Sequence, residues 1–233
     1  APMKPVVVLQ NEPDAPAGYL GFALDRRDIE WTALRLDAGD ELPDPGSVSG
    51  VAALGGAMGA SEEVAHPFLV DEKRFIAECT DRGIPVLGIC LGCQLLADAL
   101  GGRAYLADAP EVVFAPVEPT AEGVVDPIVA ALAGRRVIRF HQDTFDLPPR
   151  ATLLATGGGF NHAFRVGKAI GIQPHPEVTP ELLGRWLADG DGRRLAIDSG
   201  TDPDALIEAF SLAEAEVEET AARVFDAWIH EIG

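Results

Sequence analysis

Three cysteines in 233 residues cannot form the disulfide framework of a small secreted scaffold, and they fit a reducing compartment. No apolar run approaches the roughly 20 residues that a bilayer span requires. No leader with a charged start and a small-residue cleavage site opens the chain; Val6-Val7-Val8-Leu9 reads instead as a short buried strand. Basic residues are scarce, 18 against 37 acidic, and the formal charge is −19. That balance argues against a nucleic-acid partner, which needs clustered Lys and Arg, and against an anionic membrane surface. It serves solubility. The histidines His66, His141, His162, His175 and His230 are scattered without metal-ligand spacing. There is no P-loop, no internal repeat and no low-complexity segment. These absences predict a cytoplasmic protein with no cofactor, no metal, no nucleic-acid partner and no membrane partner.

What is present suits one sizeable α/β core: 47% of the residues are hydrophobic, with 25 Gly and 18 Pro as punctuation. Strand-like runs at Val6 to Gln10, Ile29 to Leu36, Val51 to Leu54 and Pro85 to Ile89 alternate with helical spacing at Tyr19 to Arg27 and Pro67 to Cys79. This βαβαβ order predicts a parallel sheet with helices on both faces. After Gly101-Gly102 short strand-like runs follow: Val112 to Val117, Val137 to His141, Thr152 to Ala155, Ala163 to Val166 and Ala169 to Gln173. Hairpin signals such as Val166-Gly167-Lys168 make this half antiparallel or mixed. Asp126 is a candidate N-cap, with Pro127 at the first helical position. Pro180 to Leu187 reads as a short helix, and glycines and charges fill Gly184 to Arg194. Asp204 to Ile232 is helical, with an interruption near Phe210-Ser211. The expected organisation is a core over residues 1–180 and a C-terminal helical extension over 181–233, packed on the same domain.

The chemistry concentrates in two segments. Gly88-Ile89-Cys90-Leu91-Gly92-Cys93-Gln94 joins the apolar run Ile84 to Leu87 to a helical pattern over Leu95 to Leu100. Cys90 therefore sits on a sharp strand-to-helix turn, flanked by glycines that let the backbone bend. The helix N-terminus adds positive potential there, which favours a thiolate. Gln173-Pro174-His175-Pro176-Glu177 supplies an imidazole to take the proton and a carboxylate to orient it. On a strand, positions i and i+2 share a face, so His175 and Glu177 are expected to touch. The backbone N–H of Leu91, beside the nucleophile at the helix start, is a natural donor to an oxyanion.

The pair of motifs resembles the class I (triad) glutamine amidotransferases, in which a G-x-C-x-G-x-Q elbow is matched by a late H-P-E. A third motif agrees: Leu54-Gly55-Gly56-Ala57-Met58 stands where that family has a strand followed by a Gly-Gly-Pro type loop. The resemblance runs from about Val6 to Glu177. It is nearest to the glutaminase part of GMP synthase and to a stand-alone group related to it. It implies a three-layer, flavodoxin-like α/β fold with a mixed, mostly parallel sheet. It implies Cys90, His175 and Glu177 as the triad, a γ-glutamyl thioester intermediate, and Gly56 as the second oxyanion donor. Gln94 is similar to the family's substrate-contacting glutamine. Ala57 replaces the family's usual proline, adding an N–H and removing a fixed φ. His141-Gln142-Asp143 resembles a His-x-Asp stretch of the stand-alone group. Two roles are open for it: a loop that stabilises the pocket wall, or Asp143 as acceptor for the substrate's α-ammonium. Asn161-His162-Ala163-Phe164 departs from the family's Asn-Gln-Ala-Phe at His162.

These residues leave several functions standing. The first is a glutaminase that takes L-glutamine and passes ammonia to a partner synthase. The second is a stand-alone hydrolase of γ-glutamyl amides. Cys90-x-x-Cys93 admits a redox reading, or a disulfide trap for the nucleophile, but a redox pair has no use for a downstream His-Pro-Glu. A catalytically dead binding protein is disfavoured because all three triad residues are present.

Overall fold

A computed structural model of the chain describes residues 3–188 and 190–233. The first half alternates strand and helix: β1 (Val6–Leu9), α1 (Tyr19–Arg26), β2 (Trp31–Leu34), β3 (Gly50–Ala53), α2 (Phe68–Asp81), β4 (Val86–Ile89) and α3 (Leu91–Ala99). The second half runs β5 (Arg103–Ala115), β6 (Glu118–Pro119), α4 (Ala121–Val125), α5 (Pro127–Leu132), β7 (Val137–Asp146), β8 (Thr152–Gly157), β9 (Phe160–Val166) and β10 (Ala169–Ile172). Four helices close it: α6 (Pro180–Ala188), α7 (Gly190–Asp198), α8 (Pro203–Leu212) and α9 (Glu214–Ile232).

The main sheet has eight strands in the order β2-β1-β3-β4-β10-β9-β8-β6. Pairings from β2 through to β10 are parallel, and those from β10 out to β6 are antiparallel. The central strands β1, β3, β4 and β10 are buried on both faces, and the period of two divides their side chains between two cores. Val6, Val8, Ala52, Leu87, Ile89, Ile170 and Ile172 face one. Val7, Leu9, Val51, Ala53, Val86 and Ala169 face the other. Residues of α1, α5, α6, α8 and α9 cover the first face, and residues of α2 and α3 cover the second. The result is a mixed, mostly parallel three-layer α/β fold.

Parallel strands bring their C-terminal ends to one edge of the sheet, where ligands of open α/β sheets bind. The edge at β1, β3, β4 and β10 therefore gathers Asn11 and Glu12, Gly55 and Gly56, Cys90, and Gln173 to Glu177. The Gly55-Gly56 loop, the Cys90 turn and the His175 segment start from this edge, whereas His141-Gln142-Asp143, expected as a loop, lies within β7 because it pairs with β5.

Several elements differ from expectation. The second strand is shorter than Ile29 to Leu36, because Leu36–Ala38 turns into a 3-10 helix that ends at Gly39 in the left-handed region. Val112 to Ala115 is the end of the longer β5, which stands outside the main sheet and pairs with β7 as a two-stranded ribbon, and Pro116 and Val117 lie beyond it. Helix α4 was not signalled; Thr120 starts it by accepting from the Gly123 N–H. The glycine- and charge-rich stretch after Gly184 continues α6 and then forms α7, because Leu182, Leu183, Leu187 and Ala196 supply a buried stripe. Residue 189 lies outside the described residues. Asp126 does cap α5, accepting from the N–H groups of Ile128 and Val129. The helical stretch after Asp204 divides at Ala213, three residues beyond Phe210.

The C-terminal helices share the core rather than resting on it. Phe210, Val224, Phe225 and Trp228 are fully buried in the same cluster as Val6, Val8 and Ile170. Among the described residues, no helix is long and apolar enough to cross a membrane. Truncating the largest of these side chains, Trp228→Ala, is expected to cost about 4 kcal/mol. Unfolding in denaturant should remain one transition for both proteins; two separate transitions would show that residues 181–233 fold apart from the rest.

Candidate active site

Cys90 follows β4 directly and has φ 51° and ψ −106°, a conformation that costs a non-glycine residue about 1–3 kcal/mol. Two glycines allow the turn to pack. A methyl group on Gly88 would lie 2.4 Å from the Gly92 carbonyl oxygen, and one on Gly92 would lie 2.0 Å from that of Ala53. Helix α3 can thus start pressed against β3 and β4, and its first turn points the Cys90 side chain out of the sheet edge. The Cys90 N–H is fixed by the Ile172 carbonyl at 2.9 Å, which ties the turn to β10.

His175 and Glu177 meet, but not by strand periodicity. The segment after β10 is a run of bends, pinned by a bridge between His175 and Ile138 with His175 N donating to Ile138 O at 2.8 Å. Prolines 174 and 176 stop the strand from continuing. His175 Nδ1 lies 2.7 Å from Glu177 Oε1, and its Nε2 lies 3.2 Å from the Phe140 carbonyl oxygen. Cys90 Sγ donates toward the same carbonyl at 3.7 Å. Both ring nitrogens face acceptors, so the geometry suits an imidazolium. Burial disfavours that charge, but the Glu177 carboxylate and Cys90 outweigh it and hold His175 well above its ordinary value. The ring stays protonated to higher pH than a free histidine.

Beyond β3, Gly55 passes close to this pair; a methyl group there would lie 3.2 Å from His175 Cε1 and 3.7 Å from Cys90 Cβ. Among the described residues, the N–H groups of Gly56 and Leu91 have no hydrogen-bond partner. The Ala57 N–H, which a proline would lack, donates to Glu12 Oε1 at 3.1 Å. Glu12 thus anchors the loop where a proline ring would have stiffened it. Burial, with Asp14 and Asp37 nearby, raises the Glu12 carboxyl above its usual range despite that hydrogen bond.

The cleft has two adjoining lobes that share Gly56, Ala57, Cys90 and Phe140. The smaller, about 160 Å³, is lined further by Met58, Gln94, Gln142 and Asp143. The larger, about 360 Å³, is lined by Glu12, Asp14, His175, Arg185 and Trp186. A wider depression of about 430 Å³ between Pro43, Phe68 and Phe75 is far from these groups and holds no nucleophile. Gln94 is buried, and its amide donates to the Asp143 carbonyl at 3.1 Å and to Gln173 Oε1 at 3.2 Å. His141 Nδ1 lies 2.8 Å from the same Asp143 carbonyl. The backbone of residues 141–143 therefore holds the wall, while the half-buried Asp143 carboxyl lines the smaller lobe. Burial and then the charge of Glu62 raise that carboxyl.

Behind the wall, Glu111 lies 3.0 Å from His141 Nε2 and 3.3 Å from His162 Nε2, all three buried. This donor set has the composition of a metal site, but the Arg139 guanidinium already stands 3.3 Å from Glu111 Oε1. The positive charge a cation would supply is present. Burial opposes ionisation of Glu111, yet the two histidines and Arg139 prevail and hold it at about 2. Cys93 belongs to the core: a methyl group on Gly171 would lie 2.8 Å from its Sγ, and burial pushes its thiol well above the ordinary value. That geometry speaks against a reactive Cys90–Cys93 pair.

Four participants carry no sequence signal. The Phe140 carbonyl is backbone. Trp186 of α6 packs edge-on against the His175 ring at 5.1 Å between centroids and donates Nε1–H to the Asp14 carbonyl at 2.7 Å. Glu12 and Asn11 lie in a loop without a motif.

With this geometry in hand, the comparisons with known proteins are specific. Residues 48–189 match the family described as Glutamine amidotransferase class-I. A GMP synthase [glutamine-hydrolyzing] of Thermomicrobium roseum is 43% identical over 107 residues, covering 45% of this chain and 20% of that protein. The chain thus spans about a fifth of that relative's length. A putative glutamine amidotransferase-like protein, YfeJ, of Salmonella typhimurium is 28% identical, covering 80% of this chain and 84% of its own. The crystal structure of a glutamine amidotransferase from Thermotoga maritima superposes with a TM-score of 0.86 at 30% identity, over 98% of this chain and 99% of that one. A glutamine amido transferase from Methylobacillus flagellatus gives 0.88 at 25% identity, over 99% and 96%.

The strain at the turn is measurable. Cys90→Gly should be about 1 kcal/mol more stable than Cys90→Ala in chemical denaturation, because glycine adopts φ 51° without a Cβ penalty. Equal stabilities would mean that the turn is unstrained.

Proposed function

This chain belongs to the Glutamine amidotransferase class-I family, and from that premise we propose that it hydrolyses a γ-glutamyl amide, with L-glutamine as the first substrate, through a Cys90 thioester. The observation that carries the proposal is the convergence of Cys90, His175 and Glu177, with nearby Gly56 and Leu91 N–H groups that are unpaired among the described residues.

The Cys90 thiolate attacks the γ-carboxamide carbon. The carbonyl oxygen becomes an oxyanion, and the N–H groups of Leu91 and Gly56 stabilise it; one such donor is typically worth about 10²–10³ in rate. His175, protonated and oriented by Glu177, donates its proton to the leaving nitrogen, and ammonia departs. Water then attacks the thioester with His175 as base. Glutamate leaves and the thiolate returns. The smaller lobe, with Gln94, Ala57 and the Asp143 carboxylate, suits the amino-acid end of the substrate. The carboxylate there is a partner for an α-ammonium.

The ammonia serves a partner synthase in this reading, in keeping with the name of the Thermomicrobium relative, of which this chain spans a fifth. A stand-alone γ-glutamyl hydrolase is the second reading. The 360 Å³ lobe on the far side of Cys90 favours it, being far larger than ammonia requires.

The test is ammonia or amine release by the purified chain from L-glutamine and from a panel of γ-glutamyl amides, with Cys90→Ser as blank. Cys90-dependent turnover of glutamine supports the first reading. Turnover of substituted amides alone supports the second. No turnover, together with no Cys90 adduct from a glutamine-like chloroketone, defeats both. Glu177→Gln should lower kcat at least tenfold and shift the His175 titration, followed by NMR, to lower pH. The sign follows from the raised His175 value: removing the carboxylate charge leaves burial, which disfavours the imidazolium. An unmoved titration would remove Glu177 from the orienting role.

A further inference from the structure

Glu72 is a carboxylic acid that the proposed reaction does not use, and it lies completely buried in the middle of α2. Its one hydrogen-bond partner is Asn11, whose Nδ2 donates to Glu72 Oε1 at 3.4 Å. Its second oxygen has no partner among the described residues. Among the described residues, no cation balances it. Lys73, the next residue, is turned to Glu63 at 2.6 Å and to Asp98 of α3 at 2.5 Å. At the end of β1, Glu12 is engaged with Ala57. Cys79 on α2 and Cys93 on α3 are kept neutral by burial, the first pushed up to about 12. Burial alone therefore governs Glu72 and raises it to about 8, against the weak opposing effect of the Asn11 hydrogen bond.

The location gives this acid its significance. The same Asn11 Nδ2 donates to the Leu54 carbonyl at 3.1 Å. That carbonyl also accepts the Gly92 N–H at 3.1 Å. Leu54 leads into the loop that carries Gly56, and Gly92 follows Leu91 in the first turn of α3. One carbonyl thus joins the two backbone segments whose N–H groups face the oxyanion, and Asn11 fixes that carbonyl from behind. Asn11 also packs directly under the loop: a methyl group on Gly56 would lie 3.3 Å from its Cβ.

We propose that Glu72 is a positioning residue for the oxyanion-binding backbone: in its uncharged form it lets Asn11 hold Leu54 against Gly92, and its ionisation disrupts that hold and switches hydrolysis off. The proposal rests on the amide-hydrolase reading above. A buried carboxylate with a single weak hydrogen bond must find water or another donor. Asn11 Nδ2 carries two N–H groups, one for each acceptor; the least costly response is for the new charge to draw this amide toward Glu72 and away from Leu54, or for the loop to open and admit solvent. Either one misaligns the Gly56 N–H relative to the Leu91 N–H.

The experiment compares wild type with Glu72→Gln, an isosteric and permanently neutral replacement, across pH 6 to 10. The readout is the ratio of kcat/KM at pH 9 to that at pH 7 with the best γ-glutamyl amide of the panel. An acid titrating near 8 passes from mostly neutral to mostly ionised over that interval, so the ratio should rise about tenfold from wild type to Glu72→Gln. The rate of Cys90 alkylation by iodoacetamide, which needs no oxyanion hole, should show the same pH dependence in both. Glu72→Met serves in the same way if the glutamine variant does not fold. Thermal midpoints give a readout without catalysis. The folded-state value lies above the unfolded 4.5, so the native state holds the extra proton between about 4.5 and 8, and stability falls as pH rises through that window. The variant should lose that part of the decline. An unchanged activity ratio, or a uniform loss of activity at every pH, overturns the positioning role and leaves the hydrolase reading intact. Wild type without Cys90-dependent turnover at any pH overturns both.

Discussion

The contact on which the site depends is the Leu54 carbonyl shared by Gly92 and Asn11. It exists because α3 starts almost in contact with β3, and that approach is possible only with glycine at 88 and 92. A side chain at either position would push the helix away from the sheet. Cys90 would then move away from the β3 loop, and so would the Leu91 N–H from that of Gly56, both unpaired among the described residues. A backbone site of this kind is specified by packing, since no side chain carries the donors. The positive φ at Cys90 follows from the same closeness: the chain has one residue in which to leave β4 and enter a helix that touches the neighbouring strand.

Buried acids near the site are handled in three physically different ways. Glu111 is surrounded by Arg139, His141 and His162 and remains strongly ionised, which makes it a rigid strut behind the Phe140 to Asp143 wall. Glu177 is paired with one imidazole, so its charge maintains the protonation of His175. Glu72 has no cation beside it among the described residues and is raised to about 8. The same functional group thus gives a fixed charge, a partner that keeps an imidazole protonated, and an acid raised by burial, according to what the fold places within hydrogen-bond reach.

Helices α6 to α9 do more than extend the chain. Trp186 of α6 closes the cleft over His175, and Phe140 packs against the same indole. The larger lobe exists because these helices return across the sheet edge after the His175 segment. Its walls bring Asp14 from the first loop and Arg185 from the sixth helix to within reach of one ligand, although they are 171 residues apart in sequence. The size of this lobe is therefore set jointly by the first loop and by residues of the C-terminal quarter of the chain.

Local chemistry made part of this protein legible before its structure. Alternating apolar runs, Gly-flanked Cys90 and the pro-rich His175 segment act through short-range physics: strand pleat, turn geometry and caps such as Asp126. Those features predicted the α/β alternation, the sheet with helices on both faces, and Cys90 and His175 as residues of one sheet edge. The contact of His175 with Glu177 was expected for the wrong local reason, since bends beyond β10 and not a strand bring them together. What the sequence could not express are contacts made by generic groups at long separation. The Phe140 carbonyl, the Glu12 anchor on Ala57, the Trp186 wall, the β5–β7 ribbon and the Glu72–Asn11–Leu54 relay each depend on where a strand edge, a helix face or a backbone oxygen lies after packing. A single chain written in order holds no information about such distances until the sheet has aligned the ends of β1, β3, β4 and β10. Residue identity determined the chemistry available; the parallel sheet determined which of it meets.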